Sequence, residues 1–320
     1  MTTQEHPAGA PETDWDLAPD VLAGARELRL SPERCDLDYW IANVAQGTLR
    51  GLVNGHRPEA VTPEHMRRPG PLRDALLSEF SFRSIAEDKA ARAITSLVQN
   101  APDVKSMEFY ATQLIDEARH AQAFRAHMLE VGVPAAELDD VVEKYAGEHR
   151  SNVLDPLEEF GLEVMDGPHP FVSGVAVLTI LVEGVLAPTG ELSEHKWKVV
   201  DPAAASVERG AGIDEIRHLT VGSEIVKRHL ERDPSLRGHL AEVLRRGNEL
   251  WATLPAFAVL QRREELFQEG VQQIADLVGD YEIWPGRRLL DSTVDERIGT
   301  ALEWSARTQT ARLAYMGIGE

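Results

Sequence analysis

Two five-residue words in this 320-residue chain share four letters: Asp116-Glu117-Ala118-Arg119-His120 and Asp214-Glu215-Ile216-Arg217-His218. Each sets a glutamate and a histidine three residues apart inside a long helical pattern. Residues i and i+3 lie on one helix face about one turn apart. A carboxylate and an imidazole so placed can grip one metal ion from the same side. Two such helices, each facing a partner helix that offers one more glutamate, would enclose a pair of ions.

Helical periodicity runs almost throughout, and strand signals are scarce. There is no sustained period-2 alternation and no Asn-Gly or Asp-Gly turn between apolar runs. The pattern predicts a first helix over 37–53, a proline-rich loop over 57–71, and a long helix over 72–100 that Ala101-Pro102-Asp103 breaks. The next helix runs to about Val131, and 137–166 is helical with a break near Asp155-Pro156. After the stop at Gly167-Pro168-His169-Pro170 comes an apolar helix to about Val200, then one opened by Asp201-Pro202 that continues to Leu230. Further helices are expected over 235–280 and 290–315, separated by a Trp284-Pro285-Gly286 turn. The expectation is an all-α chain with residues 1–20 as a flexible tail. Residues 21–320 then form one domain, with a bundle core over about 72–230 and a helical extension over 231–320.

A net charge of −20 argues against nucleic acid and anionic membrane surfaces as partners, because both require clustered Lys and Arg. Cys35 is the only cysteine, so neither an intramolecular disulfide nor a cysteine metal site is expected, which fits a reducing cytoplasm. Residues 1–20 carry no apolar core of a signal peptide. Phe171–Ala187 is the most apolar stretch, but it is marginal in length for a membrane span and contains Glu183. A buried central helix is the expectation, and the acid inside it then needs a reason.

Hairpin geometry selects the partner glutamates. Glu117 lies fifteen residues past Pro102, and the residue at equal height on the preceding helix is Glu87. Glu79 would sit eight residues further along, roughly 12 Å away at 1.5 Å per residue. Glu87 also belongs to the apolar stripe of Phe80, Ala90, Ala91, Ile94 and Val98. In the second half, Glu183 is the only acid within the core of its helix and precedes Glu215 by 32 residues, against 30 for the first pair. A lone Glu-x-x-His is usually a solvated helix face. Two copies, each with an inward acid at matching height, point instead to a dinuclear site of Glu87, Glu117, His120, Glu183, Glu215 and His218.

Such a cluster needs counter-charge, since each buried ion costs several kcal/mol. Two divalent ions would balance the four carboxylates. Oxygen and imidazole donors without thiolate favour iron or manganese. Asp116 and Asp214 precede the motif glutamates, and Arg119 and Arg217 follow. An aspartate accepting the far N–H of a metal-binding histidine, itself anchored by an arginine, would hold each ring in place.

These residues resemble the ferritin-like carboxylate-bridged di-iron proteins, which include the ribonucleotide reductase small subunit and the bacterial multicomponent monooxygenases. The resemblance covers about Leu72 to Leu230. It implies a four-helix core, two iron ions (Fe/Fe or Mn/Fe) held by the six residues named, and activation of O2. The radical-bearing tyrosine of the reductase subunit usually stands four residues after the first ligand histidine, where this chain has Phe124. Some members of that family carry Phe there and use Mn/Fe, yet the departure favours the oxygenase branch. The arylamine N-oxygenases of this superfamily add a histidine at the place occupied here by Ala211. The layout and size are closer to the aliphatic-nitrogen branch, such as the azoxy-forming enzyme of valanimycin-type antibiotic biosynthesis. The Ala- and Arg-rich, Lys-poor composition is similar to that of actinobacterial chains in which such secondary metabolism is common.

The expected activity is therefore O2-dependent oxygenation of a small molecule at nitrogen, turning an amine or hydrazine into an azoxy or other N-oxygenated product. A di-iron C–H hydroxylase or desaturase, or a radical-generating or iron-binding protein, remain as alternatives. An external electron donor is expected, because no flavin or nicotinamide fingerprint is present. A homodimer is expected from the fold family. Phe124, Thr179 and Gly222 are candidates to line the pocket, with Gly222 opening space on one side. His127, His195 and His229 read as packed or surface histidines. Glu191 reads as solvated unless the helix bends after Pro188.

Overall fold

The computed structural model describes residues 10–52 and 54–318. Its helices are α1 (Val21–Glu27), α2 (Leu37–Tyr39), α3 (Pro71–Asn100), α4 (Val104–Glu130), α5 (Leu138–His149) and α6 (Asp155–Met165). There follow α7 (Pro170–Ala176), α8 (Gly184–Trp197), α9 (Pro202–Arg232), α10 (Leu236–Thr253), α11 (Ala256–Gln273), α12 (Ala275–Val278) and α13 (Val294–Met316). A small antiparallel hairpin of β1 (Glu282–Trp284) and β2 (Arg287–Arg288) stands at the expected Pro-Gly turn. The chain is an all-α bundle with added helices at both ends.

Two antiparallel hairpins make the core. In the first, α3 packs along α4; in the second, the continuous rod of α7 and α8 packs along α9, and α4 lies against α9. Local chemistry sets the ends of these rods. Pro71 starts α3 at a position where its missing N–H costs nothing. The side chain of Asp103 accepts from Ser106 N–H at 2.9 Å, and that of Asp201 accepts from Ala204 N–H at 3.2 Å. Each cap satisfies an orphan donor in the first helical turn.

The rod of α7 and α8 is not regular. A π-helical segment over Val177–Glu183 joins its halves, and Pro188 removes a donor one turn further on. A Cβ on Gly184 would stand 2.9 Å from the Thr179 carbonyl oxygen, so the bulge demands glycine there. This helix is apolar enough to span a membrane by composition, yet 78% of its most apolar window is buried inside the fold.

Two apolar clusters fill the bundle. One, around Ile94, Leu97, Phe109, Phe171 and Ile225, occupies the end where α3 turns into α4. The other, around Leu76, Phe80, Phe124, Trp197 and Phe267, fills the opposite end. Between them lies the level of the Glu-x-x-His words.

Two expectations need correction. Residues 10–20 are not a loose tail: Glu12 and Thr13 are buried, and Trp15 Nε1 donates to the Thr48 carbonyl at 3.0 Å. Residues 1–9 lie outside the described residues. The helix expected over 37–53 ends earlier, because α2 passes into a π-helical segment that stops at Thr48. Leu17 and Leu37 remain exposed, whereas Val21 and Ala25 pack on Ile216 and Leu219 and tie α1 to α9.

His127 ties α4 to the start of α9. It is fully buried, with Nε2 2.9 Å from Asp201 Oδ2 and Nδ1 3.4 Å from Glu130 Oε2. Burial opposes its charged form, but the bonds to Asp201 and Glu130 outweigh burial and raise its pKa to about 9. A raised folded-state pKa stabilises the protein fully below the unfolded value near 6.5, and that stabilisation is lost as pH climbs through about 9. His127→Gln is expected to cost on the order of 2 kcal/mol at pH 6 and much less at pH 10. Urea midpoints of the two proteins at both pH values check this, and a penalty independent of pH contradicts it.

Candidate metal centre

Four rods bring six side chains to one depth. Glu87 comes from α3, Glu117 and His120 from α4, Glu183 from the π-helical segment, and Glu215 and His218 from α9. Ligand atoms of Glu87, Glu117, His120 and Glu215 all lie within 4.8 Å of one another, as do those of Glu117, Glu183 and His218. Glu117 and Glu215 stand between the two halves. Glu117 has one oxygen 3.4 Å from His120 Nδ1 and the other 3.2 Å from His218 Nδ1. Glu87 Oε2 is 3.9 Å from His120 Nδ1, while Glu183 and Glu215 each bring an oxygen within 3.9 Å of His218 Nδ1. The imidazole centroids are 6.4 Å apart.

The outer face of each ring is held by an aspartate, and the halves are crossed. His120 Nε2 lies 3.2 Å from Asp214, and His218 Nε2 lies 3.4 Å from Asp116. Arg217 Nη1 binds Asp214 at 2.9 Å and its Nη2 binds Asp116, while Arg119 binds Asp214. Each aspartate thus serves the histidine of the other motif, a swap that the spacing within one motif cannot reveal. With Nε2–H committed to an aspartate, the Nδ1 lone pair of each histidine faces the carboxylates.

The electrostatics show what the cluster lacks. Burial and then the neighbouring Glu117 push Glu87 well above the ordinary carboxyl range. Burial, with Glu117 and Glu183, does the same to Glu215. Burial raises Glu183 to about 8, with His218 partly opposing it. Glu117 is held well below the ordinary range because His218 and His120 outweigh its burial. Burial opposes charge on His120, but Asp214 and Glu117 raise it to about 9.

Four buried atoms at this spot have no hydrogen-bond partner among the described residues: His120 Nδ1, His218 Nδ1, Glu183 Oε2 and Glu215 Oε2. Polar atoms left unpaired in a dry interior cost ~1–3 kcal/mol each. Two divalent cations satisfy all four and cancel the carboxylate charge, and the donor set of oxygen and imidazole suits iron or manganese. The residues present fit a pair of such ions.

A cavity opens at the centre, lined by Glu87, Glu117, Glu183 and Glu215 together with Phe124 and Ala211. Glu87 is the most accessible of the six, its side chain 16% exposed towards this space. Of the candidate pocket residues, Phe124 therefore reaches the cavity. Thr179 and Gly222 do not line it; they fill each other's space, since a Cβ on Gly222 would collide with Thr179 Oγ1 at 2.2 Å. The small residue closes the helices together there and opens nothing. Glu191 is not solvated either: it is buried and accepts from Leu22 N–H at 3.2 Å, away from the metal level.

Several residues at the site escaped the sequence reading. Gln113, one turn before Glu117, donates to Glu117 at 3.4 Å and to Glu183. Trp40 Nε1 donates to Asp116 at 3.0 Å across 76 residues of sequence, and nothing local announces it. Arg83 and Glu208 stand one turn before Glu87 and two turns before Glu215, on the faces already identified. The helical stripe, extended outward, would have found them. His195 and His229 take backbone carbonyls, of Ile283 at 3.1 Å and Ile225 at 2.9 Å.

No protein-family model matches the chain. Among solved structures, it is similar to the R2-like ligand-binding oxidase from Sulfolobus acidocaldarius at 18% identity, over 88% of this chain and 93% of that one, with a TM-score of 0.41.

Two substitutions probe the centre. Glu215→Gln removes one of the mutually repelling buried carboxyls, so the metal-free protein is expected to lose no stability or to gain about 1 kcal/mol. The same variant is expected to hold fewer than two metals per chain. A metal-free variant that melts far below the metal-free parent contradicts the electrostatic reading. Asp214→Asn leaves the geometry of His120 but weakens its anchor, and a roughly 10–100-fold loss of metal affinity is expected by competition with a chelator. Unchanged affinity contradicts that role.

Proposed function

We propose that this chain is an O2-dependent di-iron oxygenase that oxygenates a small molecule at nitrogen, with electrons from an external donor. One observation carries the reading: four carboxylates and two unpartnered imidazole nitrogens meet in a dry interior at the floor of a cavity. Two iron ions held by Glu87, Glu117, His120, Glu183, Glu215 and His218 would supply Lewis acidity and, in the reduced state, electrons for O2.

The chain's own residues set the conditions for that chemistry. Asp214 and Asp116 hold the Nε2 protons of His120 and His218, so neither ring is free to turn. Arg217 pairs with both aspartates and Arg119 pairs with Asp214. Glu117 spans the two imidazoles, and Gln113 holds the oxygens of Glu117 and Glu183. Phe124, Ala211 and Leu186 wall the cavity with apolar surface, which excludes competing water. Glu87, at the accessible edge, has the most room to change its orientation as a substrate enters.

The choice of nitrogen follows the resemblance in size and layout to the aliphatic-nitrogen branch. Phe124 stands where a radical-bearing tyrosine would be, and Ala211 leaves the cavity open where a further histidine would fill it. A cytoplasmic homodimer served by a separate redox partner, in a pathway of secondary metabolism, completes the proposal.

The test is anaerobic loading with Fe(II), followed by isotopically labelled O2 in the presence of amines, hydrazines and hydroxylamines. Label in an N–O bond of the product is the expected result. Two irons per chain with label only in C–OH products move the reading to a C–H hydroxylase. Fewer than one iron per chain, at any pH tried, contradicts it altogether.

A further inference from the structure

A second, larger cavity of about 450 Å³ abuts the one over the metal centre, and the two share Phe82, Arg83 and Leu186 as a common wall. Its volume suits a drug-sized molecule. Most of its lining is apolar, with Trp251, Leu254 and Leu260 among the walls and Phe257 and Leu302 exposed at its edge. Two guanidiniums, Arg83 and Arg263, enter it, and among the described residues no aspartate or glutamate does. In a chain with 53 acidic and 33 basic residues that is a local reversal of sign.

Both arginines are more than nine-tenths buried, at 8% and 7% exposure. They belong to an internal ionic cluster with more cations than anions. Glu79 lies 3.1 Å from Lys196, 3.4 Å from Arg263 and 3.9 Å from Arg83. Glu208 lies 2.7 Å from Arg83, and Glu264 lies 2.6 Å from both Lys196 and Arg297. Four cations thus face three carboxylates. Burial raises Glu208 to about 7, which reduces its negative charge further. Glu87, the next acid along α3, makes no ion pair with Arg83 within 4 Å and is itself driven towards its protonated form by burial and Glu117.

The surplus is not evenly spread. Arg297 is fully engaged by Glu264, Gln268 and Ser292. Arg83 Nε is paired with Glu208 at 2.7 Å, but Arg83 Nη2 comes no nearer than 3.9 Å to Glu79 and Arg263 Nε no nearer than 3.8 Å to Glu264, too far for hydrogen bonds. A buried guanidinium whose donors go unmatched is costly, and of the four cations only Arg83 and Arg263 line the cavity.

We propose that this outer cavity recognises a carboxylate on the substrate, clamped between Arg83 and Arg263, with an apolar body against Trp251 and Leu254. Guanidiniums suit this task because their planar donor edges match a carboxylate. Arg83 and Glu87 are one helical turn apart, or roughly 6 Å along the axis. A substrate anchored at Arg83 can therefore extend past Phe82 and Leu186 to present its oxidisable group at Glu87. The substrate class is a small acid bearing its reactive nitrogen or carbon a few bonds from the carboxylate. This extends the oxygenase reading for the position of the metals, but the anion site itself exists without them.

The experiment compares binding of 4-phenylbutyrate, 4-phenylbutyramide and 4-phenylbutylamine to the metal-loaded chain by calorimetry. The carboxylate is expected to bind at least tenfold more tightly than the amide, and the amine most weakly. Arg83→Gln and Arg263→Gln are each expected to remove that preference while leaving amide binding in place. Equal binding of acid and amide, preference for the amine, or no binding of any probe overturns the proposal. A carboxylate preference that survives both substitutions also overturns it, since it would place the acid on the metals. Should Arg83→Gln fail to fold, the comparison of the three probes and the Arg263→Gln variant still decide. Metal content measured on the same samples separates the two claims: loss of metal with retained carboxylate preference would defeat the oxygenase reading alone.

Discussion

Four carboxylates buried at one depth cannot all carry charge without cations beside them, and the architecture of this chain is organised around that constraint. Each buried ion costs several kcal/mol in an apolar interior. Glu87, Glu183 and Glu215 are accordingly driven towards their protonated forms, and only Glu117, between two imidazoles, stays ionised. An apolar cluster on each side keeps the level dry. The fold thus builds a cage that is poor as a protein interior and good as a metal site.

The same interior handles charge in a second way about two turns along the bundle. There Glu79, Glu208 and Glu264 meet lysine and arginine instead of each other. Organic cations and carboxylates neutralise one another in place, which is why Glu79 is held well below the ordinary range despite complete burial. The contrast separates two uses of buried glutamate. Where acids face acids and imidazole lone pairs, the missing partner is a metal. Where acids face guanidiniums in excess, the missing partner is an anion, and the cavity beside Arg83 and Arg263 gives it a place.

Much of this was legible in the sequence because it follows from helical periodicity. The height match of Glu87 with Glu117 needs only the rise per residue and the position of Pro102, and Glu183 stands out as the only acid in its helix core at a spacing of 32 against 30. The local break of α7 and α8 was not legible: no spacing announces the π-helical turn that carries Glu183, in which the backbone of Gly184 lies too close to the Thr179 carbonyl for a side chain. The crossing of the two Asp–His pairs escaped for a similar reason. Within one motif, Asp116 and His120 stand four residues apart and look like partners, yet packing of α4 on α9 assigns each aspartate to the opposite ring. Gly222 was misread because its small size suggested room, whereas Thr179 occupies it. Trp40 and the residues of the outer cavity come from distant segments, and no local spacing joins them to the site.

Locating the metals directly in a crystal of the iron-loaded chain tests the central claim. Anomalous difference maps at the iron edge are predicted to show two peaks on either side of Glu117, one against His120 Nδ1 and one against His218 Nδ1. A single peak elsewhere, or Glu87 and Glu183 swung out to solvent in the loaded protein, contradicts the account.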